Sequence, residues 1–487
     1  MKRAIIILTV LTFLLTAVPL AGCSKNDSDS ADEAKVLRIS NCEDYMSTGD
    51  EEYVDLLVEF TKETGIEVEY STYSTNENLY NELVINPNSY DIVIPSEYMI
   101  QKLATEGRLK KLDKTKIDNY KFVSPFIKER LQNITFTVKD GDYEGETASL
   151  DEFTVGYMWG TMGWVYNSEV VAKEDVTSWT GVFNNAKYNK RMTLKDSVRD
   201  TYLIGLGMVY EAELISAIAN QDNASVNQIF NRTDKESVDK VGDKLLSLKN
   251  KLYGFEVDSG KNDVVTGKID AYVAWSGDAA YAIDEAYEDG KTLDYHVPET
   301  GSNVWFDGMV MPAGSDNEDA VYKFIDFITN PVNAVHNMDY IGYSSVVGGD
   351  YVFGYVKHNF NDDEGDIEVD LTYFFGAGED RIIKTTEDAY GRLMAQYPEE
   401  EVVARCAVMS CFDEDASIRI NNMWETVKGA TFPTGLLIAT GVIVALLIIG
   451  VIIYKNRERL TWLRLPRIHR RTYTDKGYKV ISKTPVE

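Results

Sequence analysis

The sequence predicts an α/β fold of two closely coupled lobes, followed by one transmembrane helix near the C-terminus. Strands and helices alternate along most of the 487 residues, which is typical of a parallel sheet covered by helices on both faces. No Pro-rich or Gly-rich linker divides this body, so we expect its two halves to be joined by more than one crossover. The segment 435–454 contains no charged residue and is about long enough to span a bilayer as a helix.

The first α/β region begins with a β-rich run at 36–40. A helix is predicted at 51–64, because apolar residues recur there at helical spacing. Apolar residues then alternate with glutamates at 66–70, which indicates a strand with one face in water. A helix at 77–84 leads into an apolar strand at 91–95.

A second α/β region begins with the strand-forming run 155–166, which is rich in Gly, Trp and Tyr. The elements predicted after it are helices at 201–219, 235–251, 319–329 and 333–340, and strands at 271–275 and 307–311. Open α/β sheets bind ligands beyond the carboxyl ends of their strands. Residues 41–45 and 96–98 both follow predicted strands, so we expect ligand contacts there.

The N-terminus predicts export. Residues 1–23 combine a basic start, an apolar core and a small-residue cleavage site, which together indicate a signal peptide. Its last residues, Leu20-Ala21-Gly22-Cys23, resemble a bacterial lipobox, in which Cys23 receives lipid and becomes the mature N-terminus. The alternative is an ordinary signal peptide with an incidental cysteine. The polar stretch 24–35 is predicted to be a flexible tether.

The C-terminus predicts a second anchor. The helix expected at 434–454 is followed by a tail, 455–487, that has ten Lys and Arg against three Asp and Glu. The positive-inside rule therefore places this tail in the cytoplasm and the large body on the extracellular side of a bacterial cell membrane. The predicted lipobox gives the same orientation.

Composition and motifs argue against several function classes. The formal net charge is −29, and the body is more acidic than this value because the tail is basic. An acidic body repels phosphate backbones, so no nucleic acid is expected. The charge suits cationic ligands, although it equally suits a solvated surface. No nucleophile elbow, Walker loop or zinc-protease motif occurs, and the four histidines lack metal-ligand spacing. We therefore predict no enzyme, no cofactor and no metal.

Three cysteines follow the lipobox: Cys42, Cys406 and Cys411. This odd number favours reduced, partly buried thiols, and a bridge between Cys406 and Cys411 stays the alternative.

Aromatic residues recur beside carboxylates near predicted strand ends and loops. Carboxylates accept charge-assisted hydrogen bonds from ammonium groups, and aromatic faces cover methylenes and attract cations. An alkyl diammonium needs this combination, although any single pair is equally a core aromatic beside a surface acid. The instances are Glu43-Asp44-Tyr45, Glu97-Tyr98, Trp275-Ser276-Gly277-Asp278, Trp305-Phe306-Asp307 and the tyrosines of 340–343.

Residues 36–429 resemble the bacterial spermidine/putrescine-binding proteins, the extracellular receptors of polyamine ABC importers. The motifs that carry the resemblance are Phe60-Thr61-Lys62-Glu63-Thr64-Gly65-Ile66, Tyr90-Asp91-Ile92-Val93-Ile94-Pro95-Ser96, Trp159-Gly160-Thr161-Met162-Gly163 and Trp305-Phe306-Asp307, with shorter matches at 70–73, 176–179 and 341–343. The resemblance implies a two-lobe periplasmic-binding-protein-like fold (type II), with a ligand cleft between the lobes. The expected boundaries are 36–157 with 307–350 for lobe 1, and 158–306 with 351–429 for lobe 2.

The resemblance also implies a set of cleft residues. They are Asp44, Tyr45, Ser96, Tyr98, Asp200, Trp275, Trp305, Asp307 and Tyr343. Asp307 and Asp200 would hold one ammonium group and Asp44 another, while the aromatic side chains cover the alkyl chain. Cys42 stands where the family has a tryptophan, and Ser197 where some members have a second acid, so the choice of polyamine stays open.

The expected function is non-covalent capture of putrescine or spermidine by a monomeric, membrane-anchored receptor that delivers it to an ABC permease. One alternative is an ectodomain that senses its ligand and signals through the membrane. Another is a solute-binding protein for a different small organic cation.

Overall fold

The computed structural model describes residues 36–50, 52–377 and 381–429, together with Leu446, Leu447, Ile449 and Val451. The predicted signal peptide with Cys23, the tether and the basic tail lie outside the described residues, as does most of the predicted helix 434–454. Contacts divide the chain into two compact units, Met1–Met423 and Trp424–Glu487. All site residues discussed below belong to the first unit.

Fifteen strands are present in the described residues. They are β1 Val36–Cys42, β2 Glu67–Tyr73, β3 Ile92–Val93, β4 Thr135–Thr137, β5 Thr147–Ser149, β6 Thr154–Asn167, β7 Met192–Lys195, β8 Gly254–Glu256, β9 Ala271–Trp275, β10 Leu293–His296, β11 Ser302–Val310, β12 Ser344–Ser345, β13 Ile367–Asp370, β14 Ile382–Thr385 and β15 Cys406–Ala407.

Nineteen α-helices accompany them in the same part of the chain. They are α1 Leu56–Thr64, α2 Asn76–Ile85, α3 Glu97–Thr105, α4 Pro125–Asn133, α5 Lys173–Val176, α6 Gly181–Asn184, α7 Val198–Val209, α8 Glu211–Ala219, α9 Asn223–Phe230, α10 Lys235–Leu248, α11 Gly260–Val265, α12 Ser276–Glu288, α13 Glu318–Ile328, α14 Pro331–Ile341, α15 Gly349–Phe360, α16 Thr372–Phe375, α17 Glu387–Gln396, α18 Glu400–Ala404 and α19 Glu414–Lys428.

One sheet of eleven strands organises the first unit, and its main path runs β2-β1-β3-β11-β6-β9-β7-β8. Within each of the two outer groups the strands are parallel. In one group β1 pairs with β2 and β3, and in the other β7 pairs with β8 and β9. The long strands β6 and β11 lie antiparallel between these groups. The first half of β6 pairs with β11 and the second half with β9 and β10, so this strand connects both groups.

This arrangement is the predicted two-lobe α/β architecture, with a parallel group of strands in each half. The lobe boundaries expected at 157/158 and 306/307 fall inside β6 and β11.

The helix predicted at 51–64 begins only at Leu56, because Asp55 caps it. The Oδ1 atom of Asp55 accepts the backbone N–H groups of Leu57 and Val58, each at 3.0 Å. Ser, Thr, Asp and Asn favour this cap position because their side chains satisfy N–H groups that have no partner within the helix.

The single helix predicted at 201–219 was wrong. The structure has two helices, α7 and α8, which meet at Tyr210 with a bend of 79°. Apolar residues continue through both helices, so hydrophobic spacing alone did not reveal the break. Within the described residues, no single helix is long and apolar enough to cross a membrane, and this bent pair meets the length and composition criteria only when both helices are taken together.

The core around β6 is closely packed beneath the strand ends. All residues of β6 except its last are buried. Trp159 stacks on Phe374, with ring centroids 5.0 Å apart and planes at 14°. Gly160 allows a close approach: a Cβ atom there would lie 2.5 Å from the ring of Trp305. The predicted reduced state of Cys406 and Cys411 is confirmed, since both are free thiols.

Candidate functional site

The candidate site lies where strands of the two parallel groups end. Strand β1 ends at Cys42, β3 at Val93, β7 at Lys195 and β9 at Trp275. In open α/β sheets such carboxyl ends form the ligand crevice. The residues expected to bind ligand follow these ends directly or lie on β11, which separates β3 from β6.

Asp307 is the centre of this site. It lies in a bulge of β11, where the register with β6 shifts between Phe306 and Gly308. Its backbone forms an isolated antiparallel β-bridge with Ser96. The Tyr45 hydroxyl donates to Oδ2 of Asp307 at 2.7 Å. The other oxygen, Oδ1, is buried and accepts no hydrogen bond from the described residues. A buried acceptor without a donor is uncommon and leaves a position for a donor from a ligand.

Two buried carboxyl groups, Asp307 and Asp200, lie close enough for the charge of Asp200 to act on Asp307. Burial raises the pKa of Asp307 to about 6; hydrogen bonds from Ser96 and Tyr45 oppose this shift, and the charge of Asp200 adds to it. Burial also raises the pKa of Asp200, against a hydrogen bond from Ser197 and the charge of Lys195. Ionised carboxylates held near each other in a low-dielectric site repel, and a cation between them relieves the repulsion. The pair is therefore suited to binding an ammonium group.

An aromatic wall lies beside this pair. The ring of Tyr45 meets those of Tyr157 and Tyr343 edge-on, with centroids 5.3 and 5.0 Å away. Trp305 is tilted against Tyr343 at 5.8 Å, and its Nε1 donates to the Thr161 carbonyl oxygen at 3.2 Å. Because the indole is fixed by this hydrogen bond and by Gly160, its orientation is set before any ligand arrives.

Glu97 is a site residue that the sequence-based set omitted. It is 1% exposed, and its Oε2 accepts the backbone N–H of Phe306 at 3.0 Å. This bond holds the bulge that orients Asp307, while Oε1 is buried and unpartnered among the described residues. Burial raises the pKa of Glu97 to about 8; the N–H of Phe306 opposes the shift and the charge of Asp307 adds to it. Glu97 is therefore protonated at neutral pH.

A second omitted group surrounds Asp278, at the start of α12. Its Oδ1 accepts the Tyr343 hydroxyl at 2.9 Å. Its carboxylate also lies 3.4 Å from Nζ of Lys195 and 3.5 Å from Nζ of Lys261. Nζ of Lys195 lies 4.0 Å from the centroid of the Trp275 ring. The chain thus places its own ammonium group on an aromatic residue expected to face ligand.

The expected residues Tyr98 and Asp44 have different surroundings. The guanidinium of Arg199 lies 3.9 Å from the centroids of both the Tyr98 and Phe412 rings, so it covers one face of Tyr98. Asp44 is exposed in the turn after β1, with φ of 52°, a left-handed conformation that Asp tolerates better than most residues. The structure therefore brings together the other expected residues and leaves Asp44 at the surface.

The arrangement suits non-covalent binding of an organic cation. Among the residues that the structure describes, no group of three or more His, Cys, Asp or Glu is placed to hold a metal ion. The acidic pair offers hydrogen-bond acceptors, and the aromatic wall offers apolar faces for methylene groups.

Sequence comparison gives related proteins. The profile of the bacterial extracellular solute-binding protein family matches residues 55–348. The chain is 27% identical over 314 residues to the spermidine/putrescine-binding periplasmic protein of Escherichia coli strain K12, covering 64% of this chain and 78% of that protein. It is 29% identical over 326 residues to the putrescine-binding periplasmic protein SpuD of Pseudomonas aeruginosa UCBPP-PA14, covering 65% and 79%.

Solved structures give the same picture of the fold. The spermidine/putrescine ABC transporter substrate-binding protein PotD of Streptococcus pneumoniae superposes with a TM-score of 0.56 at 28% identity, covering 81% of this chain and 98% of that one. A putative spermidine/putrescine ABC transporter protein from Listeria monocytogenes superposes with a TM-score of 0.60 at 24% identity, covering 81% and 99%. The two-lobe α/β fold is common to all three.

Proposed function

The chain belongs to the bacterial extracellular solute-binding protein family, and we propose that it is the receptor that captures putrescine or spermidine and delivers it to an ABC permease. The resemblance to spermidine/putrescine-binding proteins that the sequence indicated is confirmed, and proteins of this kind bind solutes for ABC transporters without being enzymes. The observation that carries the proposal is Oδ1 of Asp307, which has no partner among the described residues and lies close to Asp200 and to an aromatic wall.

We propose that charged residues bind the ammonium groups of the ligand and that aromatic residues pack along its alkyl chain. Asp307 and Asp200 receive one ammonium group of the ligand, through charge-assisted hydrogen bonds. Trp305 and Tyr343 pack against the methylenes, with Trp275 and Tyr98 on the opposite side. Asp44, in the exposed turn after β1, receives the ammonium group at the cleft entrance.

The affinity for putrescine is expected to fall as the pH falls below about 6. Alkylammonium groups stay protonated throughout this range, whereas Asp307 has a pKa of about 6 in the ligand-free protein and must lose its proton to pair with them. The decline should approach tenfold per pH unit, since one proton competes with one ligand. Calorimetric titrations between pH 5 and 8 measure this dependence.

The Glu97→Gln variant serves as the control. Glu97 is already protonated below its pKa of about 8, so this variant should show the same decline between pH 7 and 5 as the unaltered protein. A dissociation constant that stays constant from pH 8 to pH 5, in protein that remains folded, would contradict the role given to Asp307.

Anchoring belongs to the same proposal. We infer that lipid on Cys23 and a transmembrane helix at 434–454 hold the receptor at the outer face of the cell membrane beside its permease, which raises its effective concentration there. Deleting 431–487 or replacing Cys23→Ser should each leave the protein membrane-bound, and the double variant should be released. Membrane fractionation tests this expectation, and release by either change alone would contradict the use of two anchors.

A further inference from the structure

Lys195 is a buried lysine whose surroundings are those of a bound ligand cation. It ends β7 and is only 1% exposed. Its Nζ donates to the Val257 carbonyl oxygen at 2.9 Å, lies 3.4 Å from Oδ2 of Asp278 and lies 4.0 Å from the Trp275 ring centroid. A carbonyl, a carboxylate and an aromatic face are the partners that an alkylammonium group seeks in a binding site.

Asp278 borders the same cleft as Asp307. The Tyr343 hydroxyl donates to Asp278, and the Tyr343 ring packs on Tyr45, whose hydroxyl donates to Asp307. The Cys42 thiol lies close enough to both acids for their charges to affect it. Burial raises the pKa of this thiol to about 12, and the charges of Asp307 and Asp278 each add to the shift. Both carboxylates therefore lie near Cys42, and Tyr45 and Tyr343 connect them.

The two acids differ in their charged partners. Asp278 is paired with Lys195 and Lys261, so the chain itself neutralises it. The groups that shift the pKa of Asp307 are burial, two hydroxyl groups and Asp200, and no cation from the described part of the chain is among them. Asp307 itself thus has no cation beside it among the described residues, although the charges of Lys195 and Arg199 reach the neighbouring Asp200.

A second cation of the protein, the guanidinium of Arg199, covers another aromatic residue that is expected to contact ligand. Arg199 lies against Tyr98 and Phe412, 3.9 Å from each ring centroid, and donates to the Ser410 carbonyl oxygen. Two of the five aromatic residues expected to line the cleft, Tyr98 and Trp275, therefore already carry a cation of the protein. The faces left for ligand are those of Trp305 and Tyr343 and the uncovered faces of Tyr98 and Trp275.

We propose that Lys195 is a built-in ammonium group that fills one cation position of the cleft, so that the protein selects a short diamine such as putrescine over a longer triamine such as spermidine. This inference rests on the proposed function and specifies its ligand. A third ammonium group would meet Lys195 at Trp275, where like charges repel and Asp278 is already paired.

Calorimetric titration of the purified full-length protein with putrescine and with spermidine tests the inference. The unaltered protein should bind putrescine at least tenfold more tightly than spermidine. In Lys195→Met, which vacates the cation position and keeps the apolar stem, this ratio should shift at least tenfold towards spermidine. The matched control is Lys268→Met: Lys268 also pairs with a carboxylate, Asp263 at 2.9 Å, and lies over a ring, Tyr253 at 4.9 Å. It should leave the ratio unchanged.

Equal binding of the two ligands by the unaltered protein, a preference for spermidine, or an unchanged ratio in folded Lys195→Met would each overturn the inference while leaving polyamine capture intact. Absence of binding to either ligand would instead overturn the proposed function, and the inference with it. If Lys195→Met does not fold, the ratio measured on the unaltered protein decides.

Discussion

Replacing Asp307 by asparagine is expected to weaken polyamine binding by about 2 kcal/mol or more, roughly thirtyfold, while stabilising the ligand-free protein. The loss in affinity follows because the ammonium group loses the carboxylate that pairs with it. The gain in stability follows because burial raises the pKa of Asp307 from 3.8 to about 6. Protonated Asp307 favours the folded state below about pH 4, and this contribution is lost as the pH rises through 6.

An asparagine does not ionise, so Asp307→Asn should unfold at a higher temperature than the unaltered protein at pH 7.5. The corresponding free energy is up to about 3 kcal/mol, from a shift of about two pKa units. Scanning calorimetry without ligand measures it, and titration calorimetry measures the affinity.

Asp91→Asn is the matched control, and its expected effect on stability has the opposite sign. Asp91 is fully buried, but Arg38 lies 2.8 Å away; burial opposes ionisation, and the hydrogen bonds from Arg38 outweigh it and lower the pKa of Asp91. Its replacement should destabilise the protein, because it leaves a charged partner without its carboxylate, and should leave ligand affinity unchanged. Unchanged polyamine affinity in Asp307→Asn would remove Asp307 from the site.

Trp305→Ala is expected to lower both stability and affinity. The indole is 7% exposed, so its loss leaves a cavity that costs about 3–5 kcal/mol of unfolding free energy. Its face is also proposed to cover the ligand, and losing an aromatic surface over a cation should weaken binding by the folded protein about tenfold or more. Thermal unfolding gives the first quantity, and titration corrected for the folded fraction gives the second.

Trp164→Ala separates these two effects. Trp164 is fully buried on β6, where it packs against Trp179 and Phe183 away from Asp307. Its replacement should cost a similar amount of stability without changing affinity. Equal affinities for the unaltered protein and folded Trp305→Ala would show that Trp305 is only a core residue. If either alanine variant does not fold, leucine at both positions keeps the comparison.

Much of the architecture follows from local sequence signals. Alternating strands and helices predicted the parallel groups, and the run rich in Gly, Trp and Tyr at 155–166 predicted a strand that the structure extends by one residue at each end. Helix ends were less predictable, since they depend on single caps. Asp55 caps α1, so this helix begins at Leu56 rather than at residue 51. The break at Tyr210 lies within a continuous apolar pattern.

Site residues could be predicted from the sequence where a short motif identifies them. In the sequence, Glu97 stands beside Tyr98 and Asp278 stands three residues after Trp275, but the roles of both acids depend on burial and on partners far along the chain. Glu97 bonds to Phe306, 209 residues away, and Lys195 meets Asp278 after 83 residues. Such pairs form only when the strand ends converge. The rule that ligands lie beyond strand ends does mark Lys195, the last residue of β7.

The most direct test of cation capture at Asp307 is a calorimetric titration of the purified protein with putrescine, spermidine and spermine, with arginine and thiamine as controls. Saturable one-to-one binding of at least one polyamine, at micromolar concentration or tighter, is the expected result. A folded protein that binds none of the polyamines would contradict capture of this ligand class by the cleft.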